Sequence, residues 1–263
     1  MSRTFLALLH YDGGSFVGWQ RQTTGRSVQG EFESVLERLA GGRTVAHAAG
    51  RTDAGVHARG MGVSFSLAAR WTGEKAQRAL NALLPRDCWV ERVQEMRTGF
   101  HARKTARSRR YEYLIGTDES SGSPFRRPYE WALGRELDAS AMALAAGRIK
   151  GSHDFRPFAA KGQVKPHYRC AIGVAEWSRR SEVPGVRLEI EADRFLHHMV
   201  RMLVGTMVDI GLDRRPVTDM EALLARTDNN ETSPPAPPQG LYFLAADYSA
   251  EWYADGIEDT HAS

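Results

Sequence analysis

The chain has little cysteine and no long hydrophobic stretch. Only Cys88 and Cys170 are cysteines among its 263 residues, and their wide separation matches no metal-ligand or redox spacing. No segment approaches the roughly 20 consecutive apolar residues that a membrane-spanning helix needs. A predicted strand at residues 4–9 begins the chain, without a basic leader or a cleavage site before it. We therefore expect reduced thiols, no membrane segment and a cytoplasmic location.

Net charge is also small, since the formal value is only +3, yet positive charge is concentrated in one segment. Within residues 103–110 lie five cations: Arg103, Lys104, Arg107, Arg109 and Arg110. Such a cluster is typical either of a solvated surface or of a face that binds a polyanion, whose phosphates need several cations.

Several common catalytic and binding motifs are missing as well. There is no Gly-x-Ser-x-Gly elbow and no cysteine–histidine pair at a known spacing. The glycine-rich segment at residues 11–22 is not a strand followed at once by a helix, which excludes a nucleotide-binding loop. His197 and His198 fall in a predicted helix, where adjacent side chains point about 100° apart and cannot share an ion. These residues therefore do not favour a metal site or a nucleotide-binding site.

Hydrophobic periodicity predicts an α+β protein. Its first half has the order β-α-β-β-α-β, a split-βαβ arrangement in which helices cover one face of a mostly antiparallel sheet. A similar order follows in the second half, including a helix at 195–210 and a capping box from Thr218 to Glu221. We predict two lobes, at residues 1–104 and 105–248, and a frayed acidic tail at 249–263.

Asp53 is the most informative residue. A predicted strand precedes it, an alternating apolar run follows at residues 61–67, and glycines flank the segment between them, which predicts an acid on the loop of a hairpin. Arg51 is two residues away. An ordinary turn is the alternative, because aspartate and glycine favour turns for local backbone reasons.

Arg201 is the second candidate. On the predicted helix, His197, Arg201 and Gly205 lie four residues apart, on a different stripe from the apolar face. One interpretation is a surface arginine whose stem covers apolar neighbours. The other is a guanidinium directed into a cleft, where Gly205 leaves room for it.

Six groups of residues, in order along the chain, closely resemble those of the bacterial tRNA pseudouridine synthase A family. They are Tyr11 to Gly13 with Gly18 to Gln22, Gly50 to His57, Phe100 to Arg103 with Arg109 to Tyr111, His153 to Phe155 with Phe158, Phe195 to Arg201, and Gly240 to Tyr242. The runs Arg-Thr-Asp-Ala-Gly-Val-His and Phe-Leu-His-His-Met-Val-Arg are highly specific in combination.

The resemblance implies a role for each candidate. Asp53 would be the catalytic aspartate, Arg51 and Arg201 its cationic neighbours, Tyr111 the ring that stacks on the target base, and Leu241 an apolar wall of the pocket. It also implies a pseudouridine synthase fold of two lobes with a central basic cleft, a homodimer that holds tRNA across both subunits, and no metal or cofactor. The implied substrate is uridine in the anticodon arm, at tRNA positions 38, 39 and 40.

The basic segment suits such a substrate, because phosphate contacts position RNA without reading its sequence. We expect RNA contacts from five arginines: Arg21, Arg103, Arg107, Arg109 and Arg110. Two rival hypotheses remain, a structured-RNA-binding protein without catalysis and a hydrolase with an aspartate nucleophile.

Overall fold

A computed structural model describes residues 2–160 and 167–254. The chain forms two compact units, Met1–Arg109 with Phe243–Ser263, and Arg110–Tyr242. Strands at 106–116 and 241–248 each have residues in both units. The predicted boundary between residues 104 and 105 stays a prediction.

The first unit follows the expected order β-α-β-β-α-β. Its elements are β1 (Ser2–Tyr11), α1 (Val28–Ala40), β2 (His47–Ala48), β3 (His57–Ala68), α2 (Gly73–Leu83) and β4 (Cys88–Met96). β1 pairs in antiparallel fashion with both β3 and β4, and β2 pairs with β3.

The second unit contains most of the remaining elements. Those that lie wholly within it are β6 (Trp131–Ala132), α3 (Ala139–Gly147), β7 (Gly151–Asp154), β8 (Arg169–Arg179), β9 (Gly185–Ala192), α4 (Met199–Gly211) and α5 (Asp219–Leu224), whereas β5 (Ala106–Gly116) and β10 (Leu241–Tyr248) have residues in both units. β8 pairs in antiparallel fashion with β7 and β9, whereas the short β6 runs parallel to β5. The α+β class with mostly antiparallel strands is therefore confirmed.

Local sequence explains where the helices of the first unit begin and end. The Ser27 side chain accepts the amide of Gly30 at the start of α1, and Gly41 ends this helix with a φ of 73°. Thr72 caps α2 in the same way through the amide of Lys75. Serine and threonine satisfy free amides at helix starts, and glycine adopts the left-handed conformation at helix ends without strain.

The start of α4 and the predicted cap of α5 differ from the sequence-based expectation. α4 begins at Met199 rather than Phe195, because His198 has a φ of 64° and a helix cannot continue through that conformation. Thr218 is itself helical in φ and ψ, and its side chain makes no capping hydrogen bond. The capping-box prediction is therefore wrong.

The described start of the expected tail is packed against the first unit. Tyr253 is buried, the amide of Arg97 donates to the carbonyl of Trp252, and the amide of Ala254 donates to Glu95. Residues 255–263 lie outside the described part of the chain. Over the residues that the structure describes, none of the helices is long and apolar enough to cross a membrane.

Candidate active site

Asp53 lies in the connection between β2 and β3, as predicted. The amide of Val56 donates to its carbonyl at 3.2 Å, which closes a turn, and Gly55 supplies the positive φ of 78°. The Asp53 side chain is half-buried, whereas Arg51 is exposed. Among the described residues Arg51 is in no salt bridge, and its side chain is exposed to solvent.

The glycine-rich segment at residues 11–22 supports this turn. The amide of Trp19 donates to the carbonyl of Thr52 at 3.1 Å, and the buried Thr52 hydroxyl lies 2.7 Å from the Tyr11 hydroxyl. Gly18 has a φ of 108°, and a Cβ on it would lie 2.7 Å from the Thr52 carbonyl oxygen. The backbones approach so closely that only glycine fits at this position.

Arg26 fixes the same segment from the other side. Its guanidinium binds both carboxylate oxygens of Asp87, contacts Glu31 at 2.7 Å and lies 4.3 Å from the centre of the Phe16 ring. The Phe16 carbonyl in turn accepts the amide of Gly55 in the Asp53 turn. The bidentate ion pair of Arg26 with Asp87 therefore supports the Asp53 turn indirectly, through Phe16.

In the second unit, Arg201 is held by the proline-rich segment at residues 234–238. Its Nε donates to the carbonyl of Ala236 at 2.7 Å, and the Ala236 amide donates back to the Arg201 carbonyl at 2.9 Å. One turn along α4, a Cβ on Gly205 would lie 2.1 Å from the carbonyl oxygen of Pro234. The missing side chain at Gly205 thus leaves room for the backbone of the proline-rich segment. Arg201 is half-buried, and its side chain is hydrogen-bonded rather than free on the surface.

The same segment connects to β5 and β10. The Tyr113 hydroxyl donates to the carbonyl of Pro237 at 2.7 Å, and a Cβ on Gly240 would lie 2.7 Å from the Tyr113 ring. Burial raises the pKa of Tyr113 well above its ordinary value, although the charge of Arg201 opposes this shift. Tyr113 therefore remains a hydroxyl donor at any working pH.

Tyr111 and Leu241 are both buried in this unit. Tyr111 precedes Tyr113 by two residues on β5, and its ring meets Phe195 edge-on at 5.1 Å between centres. Leu241 is the first residue of β10, directly after Gly240. The proline-rich segment thus contacts α4, which carries Arg201, and β5, which carries Tyr111. Leu241 follows this segment in the chain.

His197 does not share a helical stripe with Arg201, because both histidines precede α4. The rings of His197 and His198 lie 4.0 Å apart between centres. The sequence argument that helical geometry separates these two rings is therefore wrong, since His198 is left-handed.

Two of the five arginines expected to contact RNA are committed to contacts within the protein. Arg109 donates to the carbonyls of Ala49 and Ala106, at 3.2 and 3.1 Å, and so supports the strand that leads to the Asp53 turn. Arg110 pairs with Glu191 at 2.9 Å.

The other three arginines are exposed. Arg21 and Arg107 lie 3.8 Å from Glu33 and Asp247 respectively, with side chains 64% and 69% exposed. Arg103 is exposed as well. Ion pairs at that distance and exposure are weak, so Glu33 and Asp247 do not hold Arg21 and Arg107 firmly.

Sequence reasoning missed the residues that position the candidates. Gly18, Phe16 and Arg26 hold the Asp53 turn, and Tyr113 holds the proline-rich segment. A signal was present in the glycine-rich segment, whose glycines the sequence did not link to the Asp53 turn. Glycines outside a phosphate-binding context also indicate close backbone approach.

Comparison with known proteins identifies the family. The family model described as tRNA pseudouridine synthase matches residues 7–103 and 145–249. The chain belongs to the tRNA pseudouridine synthase family. Three relatives named tRNA pseudouridine synthase A agree with this family. That of Moorella thermoacetica is 41% identical over 91% of this chain and 97% of its own length.

The other two relatives also match nearly end to end. The protein of Geobacillus kaustophilus is 36% identical over 98% of this chain and its whole length, and that of Syntrophomonas wolfei is 38% identical over 94% and 98%. The α+β architecture of mostly antiparallel strands is consistent with the pseudouridine synthase fold. The Asp53 turn falls inside the first matched region of this synthase family member, and Arg201 and Leu241 fall inside the second.

Proposed function

We propose that this protein converts uridine to pseudouridine in the anticodon arm of tRNA, at positions 38, 39 and 40, with Asp53 as its catalytic carboxylate. The observation that carries the proposal is the construction of the Asp53 turn. Contacts from Tyr11, Phe16, Trp19 and Gly18 to the neighbouring Thr52 and Gly55 fix the backbone on both sides of this half-buried acid. Family membership supplies the substrate class.

The reaction needs only one carboxylate. The bond between N1 of uracil and C1′ of ribose breaks, the base turns while it stays bound, and C5 bonds to C1′. C5 then loses its proton and N1 holds one, so the product is an isomer of the substrate. A glycoside hydrolase needs a second carboxylate to activate water, whereas this reaction must keep water out.

Asp53 acts at the ribose in either chemical route. It adds to C1′ to form a glycosyl ester, or it removes a sugar proton to form a glycal. Arg51 and Arg201 supply the positive charge that orients the carboxylate in the complex with RNA. Since the guanidinium of Arg201 is held by Ala236, its position requires little reorganisation on binding.

Tyr111 and Leu241 are proposed to receive the flipped base. Base–aromatic stacking is worth about 1 to 3 kcal/mol per base. The Tyr111 hydroxyl oxygen is the proposed acceptor of the C5 proton, while its own hydroxyl proton is passed on to N1 of the base. Flipping a nucleotide out of a stack costs a few kcal/mol and least where pairing is weakest. Loops and stem ends such as those of the anticodon arm meet that condition.

Exposed arginines are proposed to bind the RNA backbone. Arg21, Arg103 and Arg107 carry this role directly, because their side chains are exposed. Arg109 and Arg110 contribute their charge while they hold protein groups. Phosphate contacts of this kind add affinity but no base specificity.

Three further properties belong to the proposal. We infer a homodimer that holds tRNA across both subunits, by resemblance to the family, and light scattering of the purified protein tests it. A cytoplasmic location follows from the substrate. Since the reaction is an isomerisation without net redox change, we expect turnover to need no metal or cofactor and to survive dialysis against a chelator.

Replacement of Asp53 tests the function directly. Wild-type protein should release tritium from tRNA that carries [5-³H]uridine, whereas Asp53→Asn should release none and still bind tRNA. Glu37→Gln, on the exposed side of α1, removes the same charge and should be fully active. Normal tritium release by Asp53→Asn would contradict the proposal and favour a non-catalytic RNA-binding protein, and free uracil among the products would favour a hydrolase.

A further inference from the structure

The first unit has a second concave surface that the reaction does not use. It is an open depression of about 590 Å³ at the end of β3 that is remote from Asp53. β3 rises about 3.3 Å per residue, so Ser64 lies roughly 20 Å along the strand from His57, where the Asp53 turn ends. We call this depression the His47–His101 pocket, after the two histidines in its wall.

Its charged lining is entirely basic. Four titratable side chains line it, Arg43 from the loop after α1, His47 from β2, and His101 and Lys104 from the connection between β4 and β5. The β1 and β3 strands contribute the uncharged Thr4, Phe65, Ser64 and Ser66. Over residues 2–160 and 167–254, Arg43 and Lys104 are in no salt bridge, so no carboxylate in this part of the chain lies within ion-pair distance of either.

The two histidine rings form a flat, partly exposed face between these cations. They stack at 4.4 Å between centres with an angle of 23° between their planes. The Arg103 amide donates to Nδ1 of His101, which places the ring proton on Nε2. Burial lowers the pKa of His101, and the charges of His47, Lys104 and Arg103 lower it further. An anion in the pocket would oppose the effect of these three groups.

We propose that the His47–His101 pocket binds the phosphate backbone of RNA at a point distant from the modified nucleotide. The proposal rests on the proposed function for its choice of ligand, since a protein that acts on tRNA must hold a molecule far longer than its active site. Arg43 and Lys104 pair with phosphate oxygens, and Nε2 of His101 donates a hydrogen bond. Contacts of this kind position RNA without reading its sequence.

Salt dependence of tRNA binding gives the first test. Each phosphate neutralised contributes about 0.7 to 0.9 to the slope of log affinity against log salt. Removing both cations with Arg43→Gln and Lys104→Gln should therefore lower that slope by about 1.4 to 1.8. Lys75→Gln with Arg78→Gln, on the exposed face of α2, removes the same charge outside the pocket and should leave the slope unchanged. Equal slopes for the two double variants would overturn the proposal.

The pKa of His101 gives a second test, which needs no turnover. Its Cε1 proton is followed by NMR across pH, assigned through its loss in His101→Asn. Added tRNA should raise the pKa of His101 in the Asp53→Asn protein, whereas millimolar inorganic phosphate alone should raise it much less. An unchanged pKa with bound tRNA would contradict RNA binding in the pocket, and an equal shift with inorganic phosphate would indicate a small-anion site instead.

Both measurements separate this proposal from the proposed function. If the protein fails to isomerise uridine, the slope and the pKa still report whether RNA occupies the pocket. If the pocket is wrong, the Arg43 and Lys104 double variant retains wild-type tritium release and wild-type tRNA affinity.

Discussion

Gly18 and Thr52 are in backbone contact, since a Cβ on Gly18 would lie 2.7 Å from the Thr52 carbonyl oxygen. Thr52 immediately precedes Asp53, so this contact sets the position of the candidate catalytic turn. The glycine-rich segment and the Asp53 turn are far apart in sequence but pack directly against each other.

Gly18→Ala should therefore impair turnover and stability together. Its φ of 108° is strained for any side chain, at a cost of about 1 to 3 kcal/mol, and the added methyl must move the Thr52 carbonyl. We expect at least a tenfold fall in kcat with tRNA affinity nearly unchanged, measured by tritium release and a binding titration.

Gly41→Ala is the matched control for that change. Gly41 also has a positive φ, 73°, but a Cβ there would meet no atom within 4 Å. This variant should lose stability through strain alone and keep wild-type kcat. If both variants lose turnover equally, the Gly18 contact does not position Asp53.

Arg26→Lys should weaken the support of the same turn. Lysine keeps the charge but cannot bind both oxygens of Asp87 and cover the Phe16 ring. Because the pair is about one-third exposed, we expect a loss of only about 1 kcal/mol in the free energy of unfolding in urea, with a lower kcat. Arg3→Lys, at the exposed Arg3–Glu95 pair, should change neither, and equal effects at the two sites would contradict a positioning role.

How much the sequence predicts depends on the range of the interactions involved. Helix α1 was predictable from Ser27 to Gly41, because capping is decided within a few residues. The late start of α4 was not, since the left-handed His198 has no local signal. Likewise, Arg109 donates to the carbonyl of Ala49, sixty residues away in the sequence. From the sequence alone, Arg109 is recognisable only as one member of a basic segment.

The candidate site shows the same difference between short-range features, which the sequence predicts, and long-range contacts, which it does not. Asp53 could be placed on a hairpin loop from periodicity, but the roles of Tyr111 and Leu241 came only from resemblance to a family. The hydrogen bond from Tyr113 to Pro237 joins two residues that are separated along the sequence by four strands and three α-helices. Pattern analysis of separate segments cannot detect such a pairing.

Cysteine reactivity provides a pH-dependent prediction. Burial, with a smaller effect of the Asp87 charge, raises the pKa of the Cys88 thiol to about 12, and Cys170 is buried too. Since the thiolate is the reactive form, native protein at pH 8 should show no rapidly reacting thiol with a disulfide reagent, and two after denaturation. A rapidly reacting thiol that Cys88→Ala removes would contradict this prediction.

The same shift affects stability at alkaline pH. The unfolded chain loses the Cys88 proton near its ordinary pKa of 9.0, whereas the folded protein keeps it to about 12. The free energy of unfolding of the wild type should therefore fall relative to Cys88→Ala as pH rises above 9, and the difference should be constant below pH 8. Parallel curves from pH 7 to 10.5 would show that the thiol is accessible to solvent.

Tyr111 and Tyr113, two residues apart on β5, provide a matched pair for the proposed proton transfer. Tyr113→Phe leaves the carbonyl of Pro237 without its hydrogen bond, and we expect it to cost about 1 to 2 kcal/mol of stability. Tyr111→Phe retains the ring beside Phe195. If the Tyr111 hydroxyl accepts the C5 proton, its removal should slow tritium release about 100-fold or more.

The contrast between the two variants distinguishes a role in proton transfer from a structural role. A proton acceptor predicts a primary isotope effect with tRNA that carries [5-²H]uridine, and an altered pH profile, for Tyr111→Phe at unchanged tRNA affinity. Tyr113→Phe should instead lower stability and weaken the hold on the segment that contacts Arg201, with the pH profile unchanged. Wild-type tritium release by Tyr111→Phe would leave the ring as a stacking surface only and would require another acceptor for the C5 proton.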